Sequence, residues 1–205
     1  SLISIIFGIL FFLSNIDHDK KLNLSQAFLL TALSWITIAI FGSLPFIFSD
    51  LEMSLTDSFF ESMSGITTTG STVISNLNEA PKSILFWRAT LQWLGGIGII
   101  LMAITLMPIM NVGGMQIFKV SSIDAAEKIL PKFKEVSSRL IIIYSCLTIL
   151  CAFFYKLFGM GIFDSLTHSM TTIATGGFSN YNESLGYFDS YLIEITSITF
   201  IISLR

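Results

Sequence analysis

The chain has 205 residues, of which 53% are hydrophobic and only 12% charged, with a mean hydropathy of +0.77. Soluble domains carry about 25% charged residues, so this composition excludes a large soluble core and points to an all-α polytopic membrane protein. The net charge of −3 excludes little by itself, because in such a protein the placement of charge matters more than its sum.

Ser1–Leu13 is apolar but shorter than the roughly 20 residues a spanning helix needs. It lacks the basic n-region and cleavage site of a signal peptide and reads as the end of a preceding transmembrane helix. The chain begins with Ser rather than Met and stops at Arg205 inside an apolar run, so it reads as a fragment cut in two helices. Leu24–Phe48 is the first full span. Thr56–Asn76 follows, rich in Ser, Thr and Gly, and too short to cross as one helix and return as another. A short helix with an extended return fits it, since irregular backbone at membrane depth must line a cavity or be buried in protein. Ser83–Met107 is the second span. Asn111–Lys134 is amphipathic and basic, ends at Pro131, and is predicted to lie on the inner membrane surface, where it joins two units and offers a docking surface to a cytosolic regulator. Arg139–Phe158 is the third span. Its Cys146 and Cys151 are five positions apart on a helix and read as small apolar fillers, neither a disulfide framework nor a metal site. Ile162–Asn180 is a second polar connector, and the run from Tyr191 is the start of a fourth span.

The two connectors are copies of one another. Asp57-Ser-Phe-Phe-Glu-Ser-Met-Ser-Gly-Ile-Thr-Thr-Thr-Gly-Ser-Thr72 aligns without a gap on Asp164-Ser-Leu-Thr-His-Ser-Met-Thr-Thr-Ile-Ala-Thr-Gly-Gly-Phe-Ser179. Matching positions include Asp57/Asp164, Ser62/Ser169, Met63/Met170, Ile66/Ile173, Thr68/Thr175 and Gly70/Gly177. The same offset carries the flanking spans onto one another, so the repeat is the whole helix–loop–helix unit. The expected organisation is therefore a preceding helix end over 1–13, a first helix–pore loop–helix repeat over 24–107, a cytoplasmic amphipathic linker over 108–138, and a second repeat over 139–205, truncated in its last helix.

Each copy opens with a helix-start signal. Asp57 and Asp164 are placed to serve as N-caps, and Ser58 with Glu61 has capping-box spacing, a pairing that His168 replaces in the second copy. The short helices are predicted to end near Ile66 and Ile173, with the negative pole of each helix dipole buried partway through the membrane, where it favours a cation. Thr67-Thr68-Thr69-Gly70-Ser71-Thr72 and Ala174-Thr175-Gly176-Gly177-Phe178-Ser179 then follow. Potassium filters replace the ion's water with rings of backbone carbonyls. Pointing successive carbonyls at one axis needs unusual backbone angles, which Gly70 and Gly177 adopt at little steric cost. Neither strand contains a carboxylate, which favours a monovalent over a divalent ion. Glu61 and His168 occupy equivalent positions, read as hydrogen-bond partners supporting the filter or as pH-sensitive or ion-relay groups.

Charge placement gives the orientation. Lys20, Lys21, Lys119, Lys128, Lys132, Lys134 and Arg139 cluster on one side against five acidic residues, which marks that side as cytoplasmic. Both loops then enter from outside, beneath an acidic mouth that concentrates cations. In Trp87-Arg88-Ala-Thr-Leu-Gln92-Trp93-Leu-Gly95-Gly96-Ile-Gly98 the glycines allow close helix packing, the tryptophans suit the interface, and Arg88 is placed to pair with Glu61. The G-x-G-x-x-G spacing of a nucleotide site is absent. His18 and His168 are the only histidines, no Cys/His set has metal spacing, and no nucleophile motif is present. An enzyme and a nucleic-acid-binding role are therefore not expected.

The series Phe59–Gly70, Trp87-Arg88, Gln92–Gly98, Val112-Gly113-Gly114-Met115-Gln116 and Ile173–Ser179 resembles the Trk/Ktr potassium-uptake family, and within it the TrkH/TrkG branch. The resemblance implies four such repeats in one chain around a single pore. It implies K+ coordination at Thr68, Thr69, Thr175 and Gly176, with Gly70 and Gly177 completing the filter segments. Support falls to Thr67, Ser71, Glu61, His168, Ala174 and Phe178. It also implies a homodimer in the lipid of a bacterial inner membrane, no cofactor beyond the transported K+, and a cytosolic nucleotide-binding regulatory subunit (TrkA-like) as partner. Two repeats give half a filter, so the chain is expected not to conduct alone unless two copies assemble. The competing readings are a sodium- or proton-coupled cation symporter of the same fold and a non-conducting structural membrane subunit.

Overall fold

A computed structural model describes residues 24–110 and 124–203. Ser1–Leu13, His18, the Val112–Gln116 motif and Lys20, Lys21 and Lys119 lie outside the described residues. Among the described residues there is no β-sheet, and the filter strands predicted over 67–72 and 174–179 are single stretches of unpaired, irregular backbone. The elements are α1 (Leu24–Ile47), α2 (Leu55–Ile66), α3 (Lys82–Met110), α4 (Asp124–Leu157), α5 (Ile162–Ile173) and α6 (Tyr191–Ser203), with single 3₁₀ turns at Leu77–Glu79 and Ser184–Phe188.

Length separates the helices into two kinds. At 1.5 Å per residue, the 24 residues of α1 reach about 36 Å, enough for a hydrocarbon core of about 30 Å. Phe28–Ile47, Lys82–Ala103 and Glu135–Leu157 are each long and apolar enough to cross a membrane. The 12-residue helices α2 and α5 reach only about 18 Å and cannot cross. α2 packs between α1 and α3, and α5 packs against α4, α3 and α6. The helix between the two connectors, α3, therefore touches both short helices.

The distribution of side chains is that of a protein whose solvent is lipid. Leu29, Leu33, Ile36 and Ile40 on α1, Ile142, Ile149 and Phe153 on α4, and Ile198 and Ile202 on α6 are exposed. Inside lie Ser58, Glu61, Ser62, Arg88, Gln92, His168 and Ser169. Hydroxyls within the spans are satisfied by their own helix: Ser34 donates to Leu30 O, Thr37 to Leu33 O and Thr196 to Leu192 O, each at 2.7 Å. Cys146 and Cys151 are free thiols, and Cys151 packs with Tyr144, Tyr155, Met160, Ile173 and Ile193 in an apolar cluster.

Two expectations about helix ends are corrected. The N-cap of α2 is Ser54, whose Oγ accepts from Asp57 N at 3.1 Å, and that of α5 is Gly161. Asp57 and Asp164 therefore sit in the first turn, where a carboxylate is equally favoured by the helix dipole. Ser58 and Glu61 form no capping box: the Ser58 hydroxyl is buried without a partner and Glu61 points elsewhere. The amphipathic segment does not end at Pro131 either, since the helix that begins at Asp124 continues through that proline. α4 runs from Asp124 through the third span to Leu157, as a glycine-free stretch opening with Ala125, Ala126, Glu127 and Lys128 allows.

Candidate functional site

The two connectors leave their short helices through the same three backbone hydrogen bonds. After α2, Thr67 N donates to Met63 O (3.0 Å), Thr68 N to Gly65 O (2.9 Å) and Thr69 N to Ser64 O (2.9 Å). After α5, the equivalent bonds are Ala174 N to Met170 O (3.1 Å), Thr175 N to Thr172 O (2.9 Å) and Gly176 N to Thr171 O (3.0 Å). These bonds close each short helix at the predicted Ile66 and Ile173.

Beyond the helix ends the backbone enters the left-handed region at alternate residues. φ is +56° at Thr68 and +80° at Gly70, then +53° at Thr175 and +82° at Gly177. In a uniform extended strand successive carbonyls point to opposite sides. Alternating handedness turns every second peptide plane back, so that neighbouring carbonyls face one side. Glycine takes this conformation without penalty, but a β-branched threonine does not. Such residues cost on the order of 1–3 kcal/mol each and persist where the surroundings impose them. The sequence placed this burden on glycine alone. The matched Thr68/Thr175 pair was the signal that could have located the other half.

Behind each strand a side chain from the short helix holds it. Glu61 accepts from the Thr72 hydroxyl (2.9 and 3.0 Å) and from Val73 N (3.0 Å). His168, at the equivalent position, sets Nε2 3.0 Å from the Ser179 hydroxyl, and Ser179 is the equivalent of Thr72. His168 Nδ1 faces the Asp164 carbonyl at 2.9 Å and so carries the proton, which leaves Nε2 to accept from Ser179. The Ser64 hydroxyl donates to Ser71 O (2.6 Å), and Thr67 and Thr69 share a hydroxyl hydrogen bond (2.8 Å). Asp164 ties down the chain after the second strand, accepting from Asn180 Nδ2 (2.8 Å) and the Tyr181 hydroxyl (3.2 Å). Burial and the neighbouring Asp164 charge push the Tyr181 phenol up to about 12, so it remains a donor.

The two strands meet through α3. Arg88 Nε lies 2.7 Å from Glu61 Oε1, which is the ion pair expected from the sequence, with the two side chains 1% and 0% exposed. Arg88 also donates to Ser179 O (2.8 Å), and its guanidinium lies 4.0 Å from the centre of the Phe178 ring. One turn later, Gln92 Oε1 accepts from Phe178 N (3.1 Å). Gly176 lies so close to the Gln92 amide that any Cβ would collide with it, and a Cβ on Gly70 would collide with Gly176 O. Gly95 abuts Ile66 O at the end of α2, and Gly96 abuts Ala174 at the end of α5. One face of α3 thus carries both connectors. Gln92, Ser64, Thr72 and Ser179 were not singled out from sequence, because their partners lie on other elements.

Of the twelve residues expected at the site, Thr69, Ser71, Thr175 and Gly177 are exposed. Gly176, Phe178, Ala174, Glu61 and His168 are buried, and Thr67, Thr68 and Gly70 lie between. Ser71 contributes its carbonyl to Ser64. Among the described residues no group of His, Cys, Asp and Glu is arranged to hold a metal ion.

An all-helical core of long spans, with short helices and strained strands dipping between them in duplicate, defines a polytopic membrane protein with the K+ channel-like fold. The family described as TrkH, cation transport protein, matches residues 1–203, and the chain belongs to it. It is 43% identical over 198 residues to the Trk system potassium uptake protein TrkH of Vibrio parahaemolyticus, covering 95% of this chain and 41% of that protein. It is 39% identical over 203 residues to TrkH of Escherichia coli, covering 98% of this chain and 42% of that protein. The crystal structure of the potassium transporter TrkH from Vibrio parahaemolyticus superposes with a TM-score of 0.76 at 42% identity, over 90% of this chain and 36% of that one. The chain spans about two fifths of the length of these relatives.

Proposed function

We propose that this chain supplies two of the filter segments of a Trk-type potassium uptake protein in a bacterial inner membrane. Thr68, Thr69 and Gly70 from the first unit, and Thr175, Gly176 and Gly177 from the second, would present carbonyls to a dehydrated K+ ion. The observation that carries this reading is the backbone itself: the same left-handed angles recur at Thr68 and Gly70 and at Thr175 and Gly177. A merely structural loop has no need to strain two threonines in the same way. The units are 24–107 and 139–205. The basic side faces the cytoplasm, where a nucleotide-binding regulatory subunit of the TrkA-like kind acts, and the whole protein works as a dimer. The relatives bear the name of the Trk potassium uptake system, which supports K+ as the transported ion.

The test expresses the gene carrying this chain in bacteria that lack potassium uptake and follows rubidium-tracer uptake against added sodium. Gly70→Ser combines a left-handed φ with a collision against Gly176 O. The parent is expected to resist sodium and the variant to lose that resistance. Equal selectivity in both would overturn the filter assignment. Uptake driven by sodium would favour a coupled symporter. A well-inserted parent that transports nothing, even with the cytosolic partner co-expressed, would leave a structural subunit.

A further inference from the structure

We propose that Gln92, braced by Arg88, is a selectivity-positioning residue that fixes the direction of the Gly177 carbonyl. The inference rests on the filter reading above and goes beyond it by naming what orients one of its ligands.

The Phe178 N–H and the Gly177 C=O belong to a single peptide unit, and in a trans peptide the two point in opposite directions. Phe178 N–H donates to Gln92 Oε1 at 3.1 Å, so the Gly177 carbonyl is directed away from α3. Nothing in the strand itself imposes this. Gly177 has φ +82°, and a Cβ there would meet no atom within 4 Å. Glycine tolerates either orientation of the plane. A rotated plane would turn an N–H, the wrong end of the dipole, toward a cation.

Gln92 is built to resist that rotation. It is fully buried, and its amide lies against Gly176, where no side chain has room. Arg88, one turn earlier, holds the carbonyl two residues on, Ser179 O, at 2.8 Å and covers the Phe178 ring. Two residues of one helix thus grip the backbone of two consecutive residues, Phe178 and Ser179, about 90 positions away in sequence. The second unit's own helix offers no substitute. Counted from the helix starts, where Ile84 N bonds Pro81 O and Ile193 N bonds Ser190 O, Ser197 and Ile201 stand at the positions equivalent to Arg88 and Gln92; Ser197 is buried with its hydroxyl engaged by Tyr155, and Ile201 has no polar side-chain atom to offer. The grip is exerted by one unit on its neighbour.

The experiment uses the full-length transporter in potassium-uptake-deficient cells and measures the sodium concentration that halves rubidium uptake. Gln92→Met keeps the length and removes the acceptor, whereas Gln92→Glu keeps an acceptor at the same reach. The methionine variant is expected to require roughly tenfold less sodium, the equivalent of about 1.4 kcal/mol in discrimination, and the glutamate variant to stay near the parent. Gly70→Ser runs alongside. Discrimination retained in Gln92→Met but lost in Gly70→Ser overturns the Gln92 role and leaves the filter standing. Discrimination retained in both removes the filter reading itself. Equal loss in the methionine and glutamate variants makes Gln92 a packing residue and also overturns the proposal. If Gln92→Met does not reach the membrane, Arg88→Lys takes its place. It keeps a charge beside Glu61 but cannot reproduce the fork that reaches Glu61 through Nε and Ser179 O through Nη1 at once, and undiminished discrimination there refutes the grip.

Discussion

Replacing Glu61 with glutamine changes one atom of a buried side chain and removes its charge. Glu61 takes Arg88 Nε at 2.7 Å on one oxygen and receives the Thr72 hydroxyl and Val73 N around the same carboxylate. Glutamine has one accepting oxygen, so its amide NH2 must face at least one of these donors. It also leaves the Arg88 charge, 1% exposed, without its counterion. Breaking a buried pair from one side costs about 3–5 kcal/mol. For a chain of this size each kcal/mol corresponds to about 2–4 °C, so Glu61→Gln is expected to lower the unfolding midpoint on the order of 10 °C. Removing both charges in Glu61→Gln with Arg88→Met is expected to cost less than the two single losses together, by roughly 0.5–3 kcal/mol of coupling. The assay is thermal unfolding of the detergent-solubilised protein, read as the monodisperse fraction after heating. A Glu61→Gln midpoint within a couple of degrees of the parent, or strict additivity in the double variant, would refute the view that this pair clamps the two units together.

Three further outcomes follow from the same geometry. Thr175→Gly relieves a left-handed threonine, so stability is expected to hold or rise by up to about 2 kcal/mol, while sodium competes more effectively with rubidium; a clear fall in thermal midpoint would contradict the strain assignment. Gly176→Ala places a Cβ into the Gln92 amide and is expected to reduce rubidium uptake by about tenfold or more, the result of at least 1.4 kcal/mol of misplacement; uptake at the parental rate would mean the strand has room to shift. Cys151 is fully buried, so a membrane-permeant maleimide is expected to leave it unlabelled in the folded protein and to label it after denaturation, as peptide mass spectrometry would show.

The sequence disclosed those features whose cause is local or repeated. Runs of apolar residues disclosed the spans, the duplicated segment disclosed both short helices and their ends at Ile66 and Ile173, and a lone basic residue in a span pointed to the nearest buried acid. Features decided elsewhere were not legible. Asp57 and Asp164 look like N-caps because a carboxylate favours the first turn and the cap position alike, and only the backbone shows that the chain enters each helix earlier. The strain on Thr68 and Thr175 runs against residue preference, so preference could not reveal it. Gln92 has an ordinary helical neighbourhood, and its role comes from Phe178 and Gly176 in the other unit.

The places where the two copies differ are the places where they touch. Thr69 and Gly176 are equivalent, yet only Gly176 has the Gln92 amide against it, and there a threonine side chain would not fit. Glu61 and His168 each hold the residue eleven positions on, but only Glu61 has an arginine to neutralise, and there the acid is required. At 168 a neutral ring suffices, because Ser179 donates its hydroxyl to the ring and gives its carbonyl to Arg88. Counted from the first turn of each helix, Arg88 itself becomes Ser197, a short buried side chain engaged by Tyr155. The shared residues therefore build the strand conformation, and the unshared ones join a strand to its neighbour. This division gives the pair a direction: the helix closing the first unit grips the strand of the second, and the interface cannot be reversed by exchanging the two copies.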